Sequence, residues 1–398
     1  MYPWQAAALE CGVDGSNLVY CAPTSGGKSL VAEVLMLRRL LATRKPGARF
    51  TRNKQFALFV LPYISVVAEK TADFTDILRS TGCKCKGFYG NSENGTPLQP
   101  GSEPIAVCTI EKANVAINRL VMEDRLDELC CVVVDEVHML NDQHRGPSLE
   151  LAITKILHSK HAPAIQIVGM SATMGGVDAL SKWLSCRLFL TNFRPVSLTE
   201  YAVFQGNVFS KGKAGEDELV PVRQLADSDA RDRDLLLPLA AEVVAEAGSV
   251  LVFCASRKQC QSCAEMLANL LPSHIPAIAE VQDELAQAMR GAMGGYADAT
   301  LERLMRAGVA WHHAGLTLEE RAHVEAGYRA GTIRVLCATS TLAAGINLPA
   351  RRVILRSLWQ ARSPFISGPG PVSRAQYLQM VGRAGRAGYA EAGESYII

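Results

Sequence analysis

The sequence predicts an α/β protein with two consecutive domains, each built on a doubly wound parallel sheet. Two observations support this fold class. Short runs of β-branched and apolar residues alternate with amphipathic segments of helical period, which is typical of parallel strands covered by helices on both faces. The chain has 398 residues, whereas one hydrophobic core rarely extends beyond about 250–300 residues. We therefore expect two cores and two sheets.

The apolar runs give the predicted strands in chain order. In the first half they are Asn17–Cys21, Phe56–Leu61, Lys86–Tyr89, Ile105–Cys108, Cys131–Val134 and Ala164–Gly169. In the second half they are Ser249–Phe253, Val309–Trp311, Arg334–Ala338, Arg352–Leu355 and Ser395–Ile398.

The domain boundary is predicted near Arg194 and Pro195, which gives domains 1–194 and 195–398. Residues 206–233 are polar and charged with little periodicity, and are interpreted as a linker or a surface excursion. Turn-forming residues predict a surface loop over 90–101. Residues 362–373 are rich in Pro and Gly and interrupt the last strand-helix unit.

Composition predicts an ordinary soluble globular protein, with 48% hydrophobic and 20% charged residues. The formal net charge is +2, so any surface that binds a nucleic acid must be local. No apolar run reaches the roughly 18 residues of a membrane span, and the first residues do not resemble a secretory leader. Cysteines such as Cys108 and Cys337 lie singly inside apolar runs, so we expect reduced thiols in an intracellular protein.

Cys260 and Cys263 have the spacing of half a zinc site. No second pair of cysteines or histidines follows at ligand spacing. The same spacing places both residues on one face of a predicted helix, which is the favoured interpretation, and no metal site is predicted there.

A glycine-rich loop joins the first predicted strand to an apolar-periodic helix over Leu30–Leu41. After Pro23 it consists of Thr24, Ser25, Gly26, Gly27, Lys28 and Ser29. Glycines let backbone N–H groups converge on phosphates, and the helix N-terminus adds its positive end. Lys28 supplies a cation and Ser29 a hydroxyl for Mg²⁺, so the loop predicts an ATP site. Ala22 stands where the phosphate-loop pattern begins with Gly, and a glycine-rich turn without a phosphate role is the alternative.

Two adjacent carboxylates, Asp135 and Glu136, follow the predicted strand Cys131–Val134. In a doubly wound sheet they would lie at the carboxyl edge, beside the glycine-rich loop. Asp135 is predicted to hold Mg²⁺ through water, and Glu136 to orient and deprotonate the attacking water. An acidic pair that caps a following helix is the alternative. The combination with Lys28 and Ser29 favours ATP hydrolysis.

Ten sequence blocks resemble the Ski2-like branch of the superfamily 2 helicases, and they occur in that family's order. The blocks are YPWQ, APTSGGKS, VLPYISV, CTIEKAN, DEVHML, GMSAT, VLVFCASR, HHAGLT, ATSTLAAGINLPARRVI and QMVGRAGRAG. Within the branch they are most similar to the helicase-like domain of DNA polymerase theta, its plant form included, and to the HelQ repair helicases. The resemblance covers nearly the whole chain. It implies two RecA-like P-loop NTPase lobes.

The resemblance also implies roles that the residues alone do not fix. Gln5 matches the family glutamine that reads adenine. Ser171 and Thr173 match a motif that couples hydrolysis to movement, and their hydroxyls are expected to bridge His138 and the second lobe. Without the resemblance, Gln5 is an ordinary surface or cap residue, and Ser-x-Thr after a strand is commonly a turn.

Gln379, Arg383 and Arg386 lie in the QMVGRAGRAG block. Two arginines three residues apart are expected on one helical face, where guanidinium groups suit a phosphate. We predict Arg386 as the residue that stabilises charge on the γ-phosphoryl group, with Arg383 and Gln379 beside it. ATP would then link the two lobes when they close. A solvated basic helix face is the alternative.

A further set of residues lies in blocks that contact the strand backbone in the family. These are Pro62, Thr109, Glu111, Asn114, Thr317, Thr339 and Thr341. Hydroxyls and loop amides at strand ends suit phosphate contacts, which hold a strand without reading its bases. Each of these residues taken singly is also compatible with an ordinary loop position.

The family pattern continues beyond the second lobe with a winged helix and a helical ratchet domain. This sequence stops after the predicted last strand and begins almost at the adenine-reading block, so we expect a fragment or a truncated gene model. A strand-splitting hairpin can occupy the segment between the last two family blocks. Here that segment is the Pro- and Gly-rich run near Phe365, a composition that argues against this role.

The resemblance implies an ATP- and Mg²⁺-dependent, DNA-stimulated ATPase that moves 3′ to 5′ on single-stranded or forked DNA. Nuclear localisation and a role in double-strand break or replication-fork repair follow from the same source, and no membrane partner is expected. The alternatives are a Ski2-like RNA helicase of the exosome pathways, and a nucleic-acid annealing or binding module that uses ATP as a switch. A metabolic P-loop kinase explains neither GMSAT nor the paired arginines. Protein partners and oligomeric state are not predicted.

Overall fold

The computed structural model describes residues 1–23, 26–43, 55–90, 103–172, 176–212, 218–226, 229–271, 279–342, 348–361, 369–385 and 392–398. The chain folds into two compact units, Met1–Phe193 and Arg194–Ile398. Each unit contains its own sheet and its own buried apolar core.

Helices and strands alternate along most of the described chain. The helices are α1 Pro3–Glu10, α2 Lys28–Ala42, α3 Ile64–Leu78, α4 Ile110–Met122, α5 Gly146–Leu157, α6 Val177–Leu184, α7 Leu236–Ala245, α8 Arg257–Leu270, α9 Ala279–Ala292, α10 Ala299–Arg306, α11 Leu318–Ala330 and α12 Arg374–Val381. The strands are β1 Leu18–Cys21, β2 Phe56–Leu61, β3 Cys85–Phe88, β4 Ile105–Thr109, β5 Leu129–Asp135, β6 Gln166–Ser171, β7 Arg187–Leu190, β8 Ser197–Phe204, β9 Asn207–Lys211, β10 Leu219–Gln224, β11 Val250–Phe253, β12 Val309–His312, β13 Val335–Ala338, β14 Arg352–Leu355, β15 Trp359–Ala361, β16 Pro369–Pro371 and β17 Ala392–Ile397.

The first unit has a seven-stranded parallel sheet in the order β3-β4-β2-β5-β6-β1-β7. Its central strands β1, β2 and β6 are buried along their whole length, because helices cover both faces. The strand order changes direction around β1 and β5, so the carboxyl ends of β1, β5 and β6 meet at one edge. Ligands bind at this kind of edge in doubly wound sheets.

The second unit has an eight-stranded mixed sheet in the order β10-β9-β8-β17-β14-β11-β13-β12. The strands from β8 to β12 in this order are parallel, whereas β9 pairs antiparallel with β8 and β10 pairs antiparallel with β9, which forms an edge hairpin. Residues 206–233, interpreted from the sequence as a linker or a surface excursion, therefore contain two strands of the second sheet. Their polar composition reflects an exposed sheet edge rather than a connection between domains.

The buried predicted strands agree with the structure within one or two residues at most ends, and β2 and β14 have the predicted bounds. Strands β7, β8, β9 and β10 were not predicted. Their residues are largely half-buried or exposed, so they lack the continuous apolar run that marks a central parallel strand. The predicted loop over 90–101 lies outside the described residues beyond its first residue.

Strands β15 and β16 form a separate antiparallel pair, with Trp359 opposite Pro371. The sequence expectation near Phe365 concerns a strand-splitting role, and the pairing of these two strands does not test that role. Proline lacks a backbone donor but is tolerated in an edge strand that faces solvent. Phe365 itself lies outside the described residues.

No helix in the described part of the chain has the length and apolar character needed to cross a membrane. All twelve cysteines are free thiols, and ten of them are buried.

Candidate nucleotide site and strand-contact surface

The glycine-rich loop leads from β1 into α2, as predicted. Gly27 has φ +79°, a left-handed conformation that glycine adopts without a steric penalty. The Tyr20 hydroxyl donates to the Lys28 carbonyl at 2.6 Å, which fixes the first turn of α2 against β1. Lys28 and Ser29 are therefore held at the N-terminus of a 15-residue helix, where an anion is favoured. Thr24 and Ser25 lie outside the described residues.

Gln5 contacts this loop directly and is only 3% exposed. Its Nε2 donates to the Gly27 carbonyl at 2.9 Å, and its Oε1 accepts from the Tyr2 backbone N–H at 2.7 Å. Both ends of the amide thus have partners within the protein. The amide braces the loop, and a contact with adenine would require one of these bonds to be exchanged.

Asp135 is the last residue of β5, and its Oδ1 accepts from the Glu136 backbone N–H at 2.8 Å. Glu136 has φ 50° and ψ 50°, a left-handed conformation that is uncommon for a residue with a side chain. Such a conformation costs on the order of 1–3 kcal/mol and persists where the surrounding fold imposes it, often at functional sites. The strain turns the chain directly after β5 into a short 3₁₀ helix over Val137–Asn141.

The electrostatic surroundings of Asp135 suit a bound cation. Burial and the adjacent Glu136 carboxylate raise the pKa of the Asp135 carboxyl well above its usual value, whereas nearby Lys28 lowers it. One lysine therefore does not offset the two carboxylates fully. A divalent cation with oxygen ligands would do so, and the carboxylate of Asp135 and the hydroxyl of Ser29 are donors that Mg²⁺ accepts. These residues fit Mg²⁺.

His138 and Ser171 join the ends of two strands. Ser171 is the last residue of β6 and is fully buried. Its Oγ lies 2.8 Å from Nδ1 of His138, and the same Nδ1 lies 3.2 Å from Oε2 of Glu136. The Ser171 carbonyl accepts from the Ala22 backbone N–H at 3.1 Å. The ends of β1, β5 and β6 are thus connected, while Thr173 lies outside the described residues.

Arg383 does not lie on a helix. Helix α12 ends at Val381, and Arg383 is in the turn that follows, with its backbone N–H bonded to the Met380 carbonyl at 3.1 Å. Gln379 lies within α12 and is 9% exposed. The expectation that Arg383 and Arg386 share a helical face is therefore wrong for Arg383, and Arg386 lies outside the described residues.

The segment that follows α12 is tied to another part of the unit, since Ala350 N–H donates to the Arg383 carbonyl and Gly385 N–H donates to the Ala350 carbonyl, both at 2.9 Å. Gly385 has φ +70°, and a Cβ placed there would lie 2.9 Å from the backbone nitrogen of Gly393. Ala384 forms a bridge with Ala350, so the segment runs extended beside another part of the unit instead of coiling. Close backbone approach between positions far apart in sequence sets this turn.

The predicted strand-contact residues of the first unit lie near the carboxyl ends of β2 and β4. Thr109 is 5% exposed and caps α4, where its hydroxyl accepts from the Lys112 N–H at 3.5 Å. Asn114 Oδ1 accepts from Lys155 Nζ at 3.0 Å. Pro62 directly follows β2, and Glu111 lies in the first turn of α4. The structure brings these four residues together.

In the second unit, Thr317 follows β12 and Thr339 follows β13, and these two strands pair with each other. The Thr317 hydroxyl accepts from the Glu320 N–H at 3.2 Å, while the Glu320 carboxylate accepts from the Thr317 N–H at 2.9 Å. Thr317 is thus the cap of α11 in a capping box. Thr341 is in a 3₁₀ turn over Ser340–Leu342, and its side chain is not among those described.

Sequence reasoning assigned no role to Arg145, which the structure places among the strand-contact residues. Its Nε lies 3.1 Å from Oε1 of Glu111, and its guanidinium group also donates to the Pro62 carbonyl. The sequence signal for this position is the polar, turn-forming run Asp142–Gly146, which directly follows the DEVHML block.

Cys260 and Cys263 lie on α8 as expected and are 0% and 2% exposed. They are on the face of α8 that packs against β12 and β13. Within the described ranges there is no cluster of three or more His, Cys, Asp and Glu side chains that could hold a metal ion.

Phosphate loop, adjacent carboxylates and a serine-histidine bond at one sheet edge define a nucleotide-hydrolysing P-loop domain, followed here by a second α/β unit. Residues 2–180 match the DEAD/DEAH box helicase domain, and residues 293–388 match the helicase conserved C-terminal domain. The chain therefore has both domains of the ATP-hydrolysing helicases.

Several curated proteins are similar to this chain over its whole length. It is 40% identical to mouse DNA polymerase theta, of which it covers 16%, and 38% identical to Drosophila melanogaster DNA polymerase theta, of which it covers 19%. It is 37% identical to the human helicase POLQ-like protein and covers 35% of it. The chain thus spans well under half the length of these relatives.

Proposed function

We propose that this chain is the motor of a DNA helicase or translocase that hydrolyses ATP with Mg²⁺ and moves 3′ to 5′ on single-stranded DNA. One observation carries the proposal. Lys28, the Asp135-Glu136 pair and the His138–Ser171 bond converge at the carboxyl ends of β1, β5 and β6. The choice of DNA, the direction and a nuclear role in repair rest on the similarity to the polymerase theta and POLQ-like proteins.

Each group at this edge has a proposed task. Lys28 and the loop amides hold the β- and γ-phosphates, while Ser29 and Asp135 hold Mg²⁺, which offsets charge on the phosphoryl oxygens. Glu136 accepts a proton from the attacking water, and its carboxylate lies 3.2 Å from Nδ1 of His138.

The bond between His138 and Ser171 would transmit a change at Glu136 to β6, because Nδ1 of His138 is close to both side chains. For Gln379, Arg383 and Arg386 we propose that they stabilise charge on the γ-phosphoryl group. Guanidinium forks match its oxygens.

The test measures ATP hydrolysis by the chain with and without a single-stranded DNA oligonucleotide. Lys28→Ala and Glu136→Gln are expected to lower the rate by about 100-fold or more, since a general base alone contributes about 10²–10⁴-fold. Lys160→Ala is the matched control, because Lys160 is exposed and pairs only with exposed Asp124. No hydrolysis by the wild type, or unchanged hydrolysis by both site variants, would contradict the enzyme assignment.

Substrate and direction are tested on forked duplexes that carry either a 3′ or a 5′ single-stranded arm, in DNA and in RNA. We expect stronger ATPase stimulation by DNA than by RNA, and displacement from the 3′ arm only. Stronger stimulation by RNA would favour an RNA helicase. Strand annealing without displacement, measured on the same forks, would favour an ATP-switched annealing module.

A further inference from the structure

Arg145 lies between the two strand ends that carry the predicted DNA contacts. Its Nε is 3.1 Å from Oε1 of Glu111 at the start of α4, and its guanidinium group donates to the carbonyl of Pro62 after β2. The guanidinium also lies over the Tyr63 ring, 5.6 Å from its centre. One side chain thus connects the loop after β2 with the first turn of α4.

The charges of Glu111 and Arg145 determine which of the two side chains can bind a DNA phosphate. Glu111 was predicted to contact the strand, but a carboxylate repels a phosphodiester at close range. A guanidinium binds phosphate strongly through parallel N–H donors. The side chain of Arg145 is 34% exposed and that of Glu111 is 49% exposed, so solvent and ligands reach the pair. An ion pair this exposed contributes little on its own and can be exchanged.

The backbone of Arg145 is fixed much more firmly than its side chain. Oδ1 of Asp142 accepts from the backbone N–H groups of His144 at 2.9 Å and Arg145 at 2.8 Å. The Gly146 N–H donates to the Asp142 carbonyl at 2.9 Å. A Cβ at position 146 would lie 2.3 Å from the Leu140 carbonyl oxygen, so this turn packs directly on the 3₁₀ helix over Val137–Asn141.

That 3₁₀ helix begins directly after Glu136 and contains His138. Between Glu136 and Arg145 the chain is therefore a short, continuous series of hydrogen-bonded turns. The groups that shift the pKa of the Tyr63 hydroxyl show that Arg145 and Glu136 both lie near this residue. Burial raises the pKa of the Tyr63 hydroxyl, Arg145 lowers it, and both Glu136 and Asp142 raise it.

We propose that Arg145 binds a phosphodiester group of the nucleic-acid strand and that Glu111 is its internal counterion. When a strand binds, a phosphate oxygen takes the place of the Glu111 carboxylate at the guanidinium. The Arg145 backbone is fixed to the turns that follow Glu136. The exchange therefore couples strand binding to the hydrolysis site. The proposal rests on the proposed function, since it concerns the strand that stimulates hydrolysis.

The test compares four variants for affinity toward a single-stranded oligonucleotide and for stimulated ATPase. Arg145→Ala is expected to weaken strand affinity about tenfold and to abolish most of the stimulation. Arg145→Lys keeps the charge but not the fork, so an intermediate loss is expected. Glu111→Gln removes the competitor and is expected to tighten strand binding by about two- to fivefold. The slope of log affinity against log salt should fall by about 0.7 in Arg145→Ala.

Arg119→Ala is the matched control, because Arg119 also pairs with a glutamate on the α4 surface, Glu123, at 2.6 Å. Its affinity and stimulation are expected to equal those of the wild type. Wild-type affinity in Arg145→Ala would overturn the proposal. So would weaker binding in Glu111→Gln, because Glu111 would then support the strand directly. Glu111→Gln leaves the bond from Arg145 to Pro62 intact, so a folding defect in Arg145→Ala does not remove the test. If DNA does not stimulate the wild type, the proposed function itself fails.

Discussion

The carboxyl edge of the first sheet has two halves, which differ in how far their charged and polar groups are paired within the protein. Around β1, β5 and β6, the carboxylates of Asp135 and Glu136 are adjacent, and although Lys28 and His138 both lower the pKa of Asp135, burial and Glu136 keep it above its usual value. Around β2 and β4, charged and polar side chains already have protein partners in the Glu111–Arg145 and Asn114–Lys155 pairs. The charges of the first half are fully balanced only when a cation and the phosphates of a ligand are bound. In the second half these pairs are already formed within the protein, so a ligand that binds there must replace an existing bond.

The turn over 142–146 joins the two halves, and the largest effect is expected where it is most tightly packed. Gly146→Ala places a methyl group 2.3 Å from the Leu140 carbonyl oxygen. Overpacking of this kind costs about 1–3 kcal/mol, and each kcal/mol lowers the thermal midpoint of a unit this size by about 2–4 °C. Thermal unfolding measures the loss, and strand stimulation of the ATPase should fall with it.

Gly291→Ala is the control for that variant. Position 291 lies in α9, and a Cβ there would meet no atom within 4 Å. Alanine is favoured over glycine inside a helix by about 0.5–1 kcal/mol, so this variant should be as stable as the wild type or more stable. A wild-type midpoint in Gly146→Ala would show that the turn has room and does not join the halves rigidly.

The next effect concerns the nucleotide half alone. Ser171→Ala removes the 2.8 Å contact with Nδ1 of His138 and leaves the Ser171 backbone bond to Ala22 in place. A hydrogen bond of this kind contributes about 0.5–1.5 kcal/mol, which corresponds to a loss of up to about tenfold in DNA-stimulated kcat. We expect the KM for ATP to change less, because Ser171 lies at the end of β6 and not in the phosphate loop.

Ser181→Ala on α6 is the control, since its hydroxyl bonds only to the nearby Asp178 carbonyl at 3.0 Å. Unchanged stimulation in Ser171→Ala would show that the bond to His138 does not carry the proposed signal. A loss of ATP affinity without a loss of kcat would place Ser171 among the nucleotide-binding groups instead.

The two halves also differ in how far the sequence could predict them. Motifs directly after buried strands were placed correctly at the carboxyl edge, because every strand of a parallel sheet ends on the same side. Lys28, Asp135 and Ser171 are examples. The side-chain partners of Gln5 and Glu111 could not be predicted in this way. Their bonds to Gly27 and Arg145 join segments that are far apart in sequence and depend on how α1 and α5 pack.

Backbone conformation was the least predictable feature. The spacing of Arg383 and Arg386 predicted a helical face, but Gly385 and its close approach to Gly393 produce a turn. Strand β8 was missed for a related reason. It is half exposed, and its place beside β17 results from sheet assembly and not from an apolar run.

The smallest effect is expected at the two threonines that cap helices in the strand-contact surface. Thr109→Ala and Thr317→Ala each remove an N-cap acceptor, which usually costs about 0.5–2 kcal/mol of stability. Thr109 should lie at the low end, since its bond is 3.5 Å long, and Thr317 should lie higher, since it belongs to a capping box with a 3.2 Å bond. Serine at either position should restore stability, because it keeps the acceptor. Chemical denaturation measures these differences, and strand affinity is measured on the same four variants.

If alanine leaves stability unchanged at both positions while strand affinity falls, the hydroxyls serve the strand rather than the helices. At Thr109, which lies in the half around β2 and β4, this result would contradict the contrast between the two halves of the first sheet.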